Sequence, residues 1–205
     1  MNQKDILDKF GDRYIADENT FKMGIHQGFT SHFAERFRHR NVLETCTGAG
    51  FTTMALAKTA KTVVTVEVDR THMEQAVSNV ERAGVSWKVH FIHGSILDPE
   101  LIQSLPPFDA AFLDPYWAVS GPDHIYRFVN SNTRPPADTL LNEVFKLTRN
   151  VALVLPPFLD VSELADLPEH ELEKLHLKSS HELYCLYFGD FMIEAGETEF
   201  HLKGQ

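Results

Sequence analysis

The sequence lacks the features of an exported or membrane-spanning protein. Its 205 residues include only two cysteines, Cys46 and Cys185, and both lie in apolar, strand-like runs. Such cysteines indicate buried thiols in a reducing compartment, without a disulfide framework or the spacing of a cysteine metal site. No apolar run approaches the roughly 20 residues that span a bilayer, and the N-terminus has no apolar leader core. We therefore expect a cytoplasmic protein with neither a membrane partner nor a metal.

Positive charge is also scarce, because the formal net charge is −10. This argues against a protein that depends on bulk electrostatic attraction to nucleic acid, although an enzyme with a local basic patch remains compatible with it. The basic run at residues 36–40 is more typical of a solvated helix face. The length and the 43% hydrophobic content predict one domain over residues 1–205, with residues 1–40 as an N-terminal helical or lid extension.

The rest of the chain is organised around a glycine turn at residues 41–53. An apolar run ends at Glu44, Gly48 and Gly50 form the turn, and a helix-like segment follows. A strand, a glycine turn and a helix together bring backbone close to a ligand. The next apolar run ends at Glu67, nineteen residues after Gly48. This is close to the roughly 20 residues expected for a carboxylate that binds the ribose of a nucleoside.

The glycine turn lacks the third glycine of a dinucleotide fingerprint, because Thr53 occupies that position. Glu44 would repel a pyrophosphate but would suit the ammonium group of S-adenosylmethionine (SAM). A turn that merely connects strand to helix is the simplest alternative, and an NAD-linked oxidoreductase is another. Acids at the ends of two successive strands favour SAM as the cofactor.

The hydrophobic pattern predicts an α/β fold with a Rossmann-like, doubly wound sheet. Strands are predicted at 41–46, 62–68, 87–92, 108–113 and 151–155, and helices at 51–59, 71–83, from Pro99, and from a cap at Asp138 or Thr139 to about 149. The apolar run 151–155 is typical of a buried parallel strand. Runs 172–177 and 183–188, joined by a polar turn, predict a C-terminal antiparallel hairpin.

The N-terminal region is predicted less regularly. A short helix is expected within residues 2–18, a loop at 17–20, and a helix capped by Ser31 that continues to about His39. Residues 21–30 are apolar, interrupted by glycine and without a clear period. They are compatible either with a lid over a ligand or with core packing.

A candidate acceptor site follows the fourth strand at Asp114, Pro115, Tyr116 and Trp117. Ligands of open parallel sheets bind at the carboxyl ends of the strands. The Asp114 side chain and the Pro115 carbonyl would accept hydrogen bonds from an exocyclic amine, and Trp117 would stack on a planar base. Methyl transfer from a sulfonium is a direct displacement, so positioning supplies much of the catalysis. The alternatives are a turn-forming Asp114 and a core Trp117.

These motifs resemble those of class I SAM-dependent methyltransferases, and more closely those of the trimethylguanosine synthase family, which methylates the exocyclic N2 of a capped guanosine. The resemblance covers residues 21–192, and its specific segments are 44–50, 66–69, 114–124, 150–156 and 186–190. It implies that Glu44 lies near the methionine part, Glu67 at the ribose, Ser95 near the adenine and Trp117 on the target guanine, with a lid at Phe29 and Thr30. The predicted catalytic residues are Asp114, Pro115 and Trp117. The predicted cofactor-binding residues are Phe29, Thr30, Glu44, Thr45, Gly48, Gly50, Glu67, Val68, Ser95, Ile96 and Asp114.

The chain departs from that family at three places. Ser95 replaces an Asp, residues 114–117 read Asp-Pro-Tyr-Trp where the family has Ser-Pro-Pro-Trp, and Pro157 replaces an Arg used in cap binding. Loss of that Arg removes a charge-assisted contact worth roughly 1.5–3 kcal/mol. We therefore predict an N-methyltransferase that acts on an exocyclic amino group, with guanine N2 of an RNA or nucleotide as the first choice. A non-catalytic SAM-binding module is the alternative that the Ser95 and Pro157 changes suggest.

Overall fold

The computed structural model describes residues 2–117 and 125–203, which belong to two compact units, Met1–Ala110 and Ala111–Gln205. Within the described residues of the first unit, N-terminal helices precede alternating strands and helices. The elements are α1 Gln3–Phe10, α2 Glu18–Met23, α3 Gln27–Arg36, β1 Asn41–Thr45, α4 Phe51–Thr59, β2 Thr62–Glu67, α5 Arg70–Arg82, β3 Val89–His93 and α6 Pro99–Ser104.

The strands of the first unit are parallel, in the order β3-β2-β1. Val42 pairs with Val63 and Glu44 pairs with Thr65, so the two apolar runs lie side by side. Both strands are almost entirely buried. Consecutive apolar residues are expected where both faces of a parallel strand are covered. The predicted helices after β1 and β2 are confirmed, as is the short helix that begins at Pro99.

The N-terminal predictions were wrong in two details. Asp17 is not in a loop but is the N-cap of α2, where its carboxylate accepts hydrogen bonds from the N–H groups of Asn19 and Thr20. Ser31 does not cap a helix, because α3 begins four residues earlier. His26 supplies the cap, and its Nδ1 accepts a hydrogen bond from the Gly28 N–H at 3.1 Å.

An aromatic cluster packs the N-terminal helices onto the helix that follows the glycine turn. The Phe10 and Phe51 rings are stacked with centroids 3.5 Å apart, and Tyr14 meets Phe51 edge-on. Met54 of α4 and Val80 of α5 belong to the same buried cluster. The N-terminal segment is therefore part of the core of the first unit.

The second unit consists mainly of strands. Its elements are β4 Ala110–Leu113, which begins at the last residue of the first unit, α7 Ala137–Phe145, β5 Val151–Leu155, β6 Glu171–Leu177, β7 Ser180–Tyr187 and β8 Gly196–Leu202. The strand order is β4-β5-β7-β6-β8. Strands β4 and β5 are parallel, β7 is antiparallel to both β5 and β6, and β8 is parallel to β6.

This arrangement confirms the predicted α/β class, with parallel strands followed by an antiparallel hairpin, but some details differ. Neither Asp138 nor Thr139 caps α7, which begins at Ala137, because the Asp138 carboxylate instead accepts a hydrogen bond from the Asn130 N–H at 2.9 Å. Strand β3 begins at Val89, since Ser86–Lys88 form a short 3-10 helix. Strand β8 was not predicted. No helix within the described residues is long and apolar enough to span a bilayer.

Candidate active site

The glycine turn between β1 and α4 depends on left-handed backbone conformations. Gly48 has a φ of 54° and Gly50 a φ of 82°, which glycine adopts without strain. A Cβ on Gly50 would lie 3.0 Å from the Ala76 Cβ, so the turn packs directly on α5. A Cβ on Gly48 would meet nothing within 4 Å, which leaves the surface of the turn open at that residue.

Glu67 lies at the carboxyl end of β2 and is 6% exposed. Its Oε2 accepts a hydrogen bond from the Gly48 N–H at 2.8 Å, and its Oε1 accepts one from the Asp69 N–H at 2.9 Å. The structure therefore brings Glu67 to the glycine turn, as the spacing in the sequence predicts. Each carboxylate oxygen has two lone pairs, so both oxygens can accept a further hydrogen bond from a ribose hydroxyl.

Glu44 lies at the end of β1 in a different environment. It is 2% exposed, and its Oε2 accepts a hydrogen bond from the Thr53 hydroxyl at 2.6 Å. Burial raises the pKa of Glu44 to about 7, and the charge of Glu67 adds to this, whereas hydrogen bonds from Thr53 and Thr65 oppose it. The carboxyl group is therefore close to its titration point at neutral pH, and a nearby cation would favour its ionised form.

The residues predicted for the adenine side lie after β2 and β3. Val68 is 69% exposed, Ile96 is buried and Ser95 is exposed. The Ser95 hydroxyl oxygen accepts a hydrogen bond from the Leu97 N–H at 3.2 Å. The Gly94 N–H donates to the Glu67 carbonyl at 2.9 Å, which ties the two strand ends together. An exposed apolar side chain and a polar hydroxyl at neighbouring strand ends suit one face and one edge of a base.

Three further predicted cofactor residues are buried. Phe29 and Thr30 lie within α3, and the Thr30 hydroxyl donates to the Gln27 carbonyl at 3.1 Å. Their burial corresponds to the core-packing interpretation of residues 21–30. Thr45 is also fully buried, and among the described residues its Oγ1 has no hydrogen-bond partner. Contact of these three residues with the cofactor stays a prediction.

Sequence reasoning missed Asn79, whose side chain forms hydrogen bonds with the backbone of the glycine turn and of the N-terminal segment. This fully buried side chain accepts a hydrogen bond from the Ile15 N–H at 2.7 Å and donates to the Ile15 carbonyl at 2.8 Å. It also donates to the Ala49 carbonyl, within the turn, at 2.9 Å. The signal in the sequence is an asparagine between Ala76 and Val80, the two apolar residues that α5 buries together with it.

The candidate acceptor segment, Asp114 to Trp117, directly follows β4 in the second unit. Asp114 is half-buried and Pro115 is buried. Tyr116 and Arg134 exchange two backbone hydrogen bonds, each 2.8 Å long, which fix the segment to a neighbouring loop. The remainder of the predicted segment, residues 118–124, lies outside the described residues.

Trp117 is half-buried and is supported by a second aromatic ring. The rings of Trp117 and Tyr126 meet edge-on, with centroids 6.1 Å apart and planes inclined by 79°. The Tyr126 N–H donates to the Phe158 carbonyl at 3.0 Å. Pro157, where the resembled family has an Arg, therefore adjoins the residue that braces Tyr126.

Residues 39–189 match the family model described as RNA cap guanine-N2 methyltransferase. The match covers more than half of the chain. The chain belongs to the RNA cap guanine-N2 methyltransferase family. The match confirms the resemblance that the sequence motifs indicate.

Curated relatives of this family member match it over a limited length. It is 38% identical over 89 residues to catechol O-methyltransferase of Mycobacterium tuberculosis, which is 42% of this chain and 40% of that protein. It is 33% identical over 93 residues to catechol O-methyltransferase of Niastella koreensis, which is 42% of each chain. The matches thus span less than half the length of these relatives.

Solved structures show the same fold over most of the chain. A protein from Porphyromonas gingivalis assigned as a methyltransferase has a TM-score of 0.73 at 15% identity, covering 91% of this chain and 47% of its own. The 16S rRNA N2 methyltransferase RsmC of T. thermophilus, in complex with AdoMet and guanosine, has a TM-score of 0.57 at 19% identity, covering 85% and 43%. The O-methyltransferase TomG of Streptomyces achromogenes, in complex with SAM, has a TM-score of 0.57 at 20% identity, covering 85% and 91%.

These findings place the chain in a methyltransferase family and give it the class I fold, and the solved structures of RsmC and TomG with this fold contain S-adenosyl-L-methionine. The first unit fits this cofactor on its own geometry. The turn surface is open at Gly48, and Glu67 has acceptor capacity beyond its two backbone contacts. Glu44 supplies a carboxyl group that a cationic ammonium would ionise.

Proposed function

We propose that this protein transfers the methyl group of SAM to an exocyclic amino group, with N2 of guanine in an RNA or nucleotide as the acceptor. The observation that carries the proposal is the fixed Asp114 to Trp117 segment. Its backbone is held by the paired hydrogen bonds between Tyr116 and Arg134, and Trp117 is braced by Tyr126. Membership of a guanine-N2 methyltransferase family and the fold shared with RsmC support the choice of guanine.

On the cofactor side, Glu67 binds the ribose hydroxyls and Glu44 the ammonium group. The glycine turn admits the methionine part, and Ser95 with Val68 and Ile96 borders the adenine. SAM supplies an electrophilic methyl group on a sulfonium. The task left to the protein is to hold the acceptor nitrogen in line and to keep water away from it.

On the acceptor side, Trp117 stacks on the flat base, which sets its plane. The Asp114 carboxylate and the Pro115 carbonyl each accept one hydrogen bond from the amine, which directs the nitrogen lone pair away from them. After transfer, the amine carries an extra proton, which passes to Asp114 or to water. No strong base is required, because the methylated ammonium is acidic enough to lose its proton to a carboxylate.

A hydroxyl acceptor is the second candidate, because the curated relatives are named catechol O-methyltransferases. The two acceptors of the Asp-Pro pair favour the amine, since an NH₂ group offers two hydrogens whereas a hydroxyl offers one. A triphosphate-linked cap is a weaker match than an uncapped guanine, because Pro157 cannot form the ionic contact of an Arg and the net charge is −10. In this proposal residues 1–205 act as one methyltransferase domain, with 1–40 as its extension.

The test is transfer of a labelled methyl group from SAM to fractionated cell extract. Parallel aliquots are digested with ribonuclease, deoxyribonuclease or protease, and the labelled product is hydrolysed to nucleosides. We expect label that only ribonuclease releases, or label in free nucleotides, and we expect it on guanine N2. Label on protein, or on a small aromatic hydroxyl compound, would contradict the proposal.

A matched pair of variants connects that activity to the acceptor segment. Asp114→Asn replaces one acceptor oxygen by a donor and should lower the transfer rate by about a hundredfold, as expected when a hydrogen bond to a charged group is lost and a donor faces a donor. Asp166→Asn, an exposed site in the same unit, should leave the rate unchanged. Equal rates for the two variants would remove Asp114 from the mechanism.

A further inference from the structure

Histidines from neighbouring strands form a row on one face of the C-terminal strands. His176 of β6 pairs in register with His201 of β8, and His181 of β7 lies opposite His176. The His176 and His201 rings are stacked with centroids 4.6 Å apart, and the His176 and His181 rings are 5.3 Å apart. Glu199 precedes His201 by two residues and therefore projects from the same face of β8.

The potential metal-binding atoms of His176, Glu199 and His201 lie close together. One ligand atom from each lies within 4.8 Å of those of the other two. Glu199 Oε2 is 3.0 Å from His201 Nε2. His176 Nε2 is buried, and no hydrogen-bond partner for it exists among residues 2–117 and 125–203. A buried nitrogen without a partner is destabilising, so this atom requires an explanation that hydrogen bonding within the described residues does not give.

We propose that His176, Glu199 and His201 bind a divalent transition-metal ion of the zinc type, which links β8 to β6. Two imidazoles and one carboxylate are a frequent zinc ligand set that leaves a fourth position for water. Imidazole nitrogen also selects zinc over calcium or magnesium, which prefer oxygen ligands. The ion would give the buried His176 Nε2 its partner.

Binding a metal ion requires rotations of the exposed side chains of the cluster. Ligand atoms about 2.1 Å from a tetrahedral zinc ion are roughly 3.4 Å apart, somewhat closer than the 4.8 Å limit of this cluster. The side chains of Glu199 and His201 are 55% and 56% exposed, so both are able to turn towards the less exposed His176. The ring of His201 must leave its stacked orientation, because parallel rings direct their nitrogens in parallel.

Two neighbours of the cluster are engaged elsewhere. His181 Nε2 donates to the Leu183 carbonyl at 3.1 Å, so this ring is oriented by another contact. The Lys174 ammonium donates to Glu197 at 2.6 Å, and that ion pair reduces its repulsion of a metal ion. The sequence prediction of no metal rested on cysteine spacing. It could not detect ligands that parallel pairing of β6 and β8 brings together from positions 25 residues apart.

The test is zinc binding by the full-length chain without a histidine tag, measured by calorimetry and by competition with a fluorescent zinc indicator. We expect one zinc ion per chain with wild type. His201→Asn and Glu199→Gln should each weaken binding at least tenfold. His181→Asn, in the same histidine row, and His90→Asn, on an exposed position of β3, should bind as wild type does. Cobalt(II) titration should give the visible absorption bands of a four-coordinate site in wild type, His181→Asn and His90→Asn, but not in His201→Asn or Glu199→Gln.

Zinc should also raise the unfolding temperature of wild type and of His181→Asn, but not that of His201→Asn. Circular dichroism before zinc addition shows whether each variant is folded, and Glu199→Gln provides an independent surface variant if His201→Asn is not. Absence of zinc binding by wild type at micromolar concentration would overturn the proposal. The proposal would also be overturned if folded His201→Asn and Glu199→Gln bound zinc as tightly as wild type does. The result does not depend on methyl transfer, so it stands or falls separately from the proposed function.

Discussion

The cofactor region of the first unit and the acceptor segment of the second are built from different kinds of contact. Around the glycine turn, Glu67 and Asn79 bond to backbone N–H and carbonyl groups. In the acceptor segment, a backbone bridge at Tyr116 positions side chains whose own chemistry must recognise the acceptor. Backbone contacts tolerate change in neighbouring side chains, whereas a change in a recognising side chain alters what is recognised. The chain departs from the family at Ser95 on the cofactor side and at Asp114, Tyr116 and Pro157 on the acceptor side, so the larger change falls where side chains must recognise the acceptor.

The largest effect is expected where the turn rests on Asn79. Asn79→Ala removes three hydrogen bonds, two to the part-buried backbone of Ile15 and one to the buried carbonyl of Ala49, and leaves these groups without the Asn79 amide as partner. With about 1 kcal/mol per bond and a further penalty for the unpaired groups, the free energy of unfolding should fall by about 4 kcal/mol. Urea denaturation measures it. Ser78→Ala, on the exposed side of the same helix, is the control, and equal loss in both would refute the role of Asn79.

The next largest effect is the pH dependence that Glu44 gives to the free energy of unfolding. The native pKa is about 7, against about 4.3 in an unfolded chain. Between these values the unfolded state releases a proton that the native state retains, so stability falls as pH rises through the window and is level above it. Glu44→Gln should remove this loss and be more stable than wild type by about 3 kcal/mol at pH 8, with no such gain at pH 4. The free energy of unfolding of both proteins, measured from pH 4 to pH 8, should diverge as the pH rises. A constant difference between the two curves would count against the prediction.

The same carboxyl group gives a binding test. If Glu44 pairs with the SAM ammonium, binding favours the ionised carboxylate. Below pH 7, SAM affinity should therefore increase by up to tenfold for each unit by which the pH is raised. Calorimetry in two buffers of different ionisation enthalpy would detect the released proton. SAM binding by wild type without proton release near pH 6 would separate Glu44 from the cofactor.

A smaller loss is expected for Glu67→Ala, which removes the proposed ribose contacts and leaves the Gly48 N–H without its acceptor. Two hydrogen bonds to a charged group correspond to about 3 kcal/mol, so SAM affinity should fall about a hundredfold. Glu74→Ala, an exposed acid on α5, is the matched control. Unchanged SAM affinity in Glu67→Ala would disprove the ribose assignment.

Trp117→Ala tests the other side of the comparison. Base stacking on an aromatic ring is worth roughly 1–3 kcal/mol, so kcat/KM for the acceptor should fall by ten- to a hundredfold with SAM affinity retained. The chain offers a matched variant in Trp87→Ala, because Trp87 is 79% exposed in the first unit. Loss of SAM binding in Trp117→Ala would show that the two regions are not separable in the way proposed.

The smallest expected effect is an increase in SAM affinity in the variant Ser95→Asp. Ser95→Asp restores the carboxylate of the resembled family at an exposed position, where Ser95 accepts a hydrogen bond from the Leu97 N–H. An Asp can keep that contact and accept one from the adenine amino group. SAM affinity should rise about five- to tenfold, as one added hydrogen bond of about 1 kcal/mol predicts. A decrease would indicate that the adenine is recognised elsewhere.

The strands and helices predicted best were those whose burial is uniform. The apolar runs of β1, β2 and β5 and the glycines after β1 defined the parallel core, because buried strands are apolar throughout. Strand β8 escaped prediction, since its residues alternate between exposed and half-exposed and include Glu197, Glu199 and His201. Its pairing with β6 depends on contacts distant in sequence.

At the candidate site, the placement of Glu67 beside Gly48 was predictable because strand length fixes where each strand ends. The properties of Glu44 were not, since its pKa depends on burial and on the hydroxyl groups of Thr53 and Thr65. Asn79 was missed because its partners, Ile15 and Ala49, are 64 and 30 residues away. The structural role of a buried polar side chain such as that of Asn79 can be recognised only once its hydrogen-bond partners are known.

The charged outer strand β8 has a consequence for how the protein behaves at high concentration. It is the last strand of its sheet, so its outer N–H and carbonyl groups face away from any partner strand. Glu197 and Glu199 along it place charge where a second chain would have to pair. Charged edge strands discourage the edge-to-edge stacking that leads to aggregation. Neutralising these side chains should therefore make the purified protein precipitate more readily, even where its folded stability is unchanged.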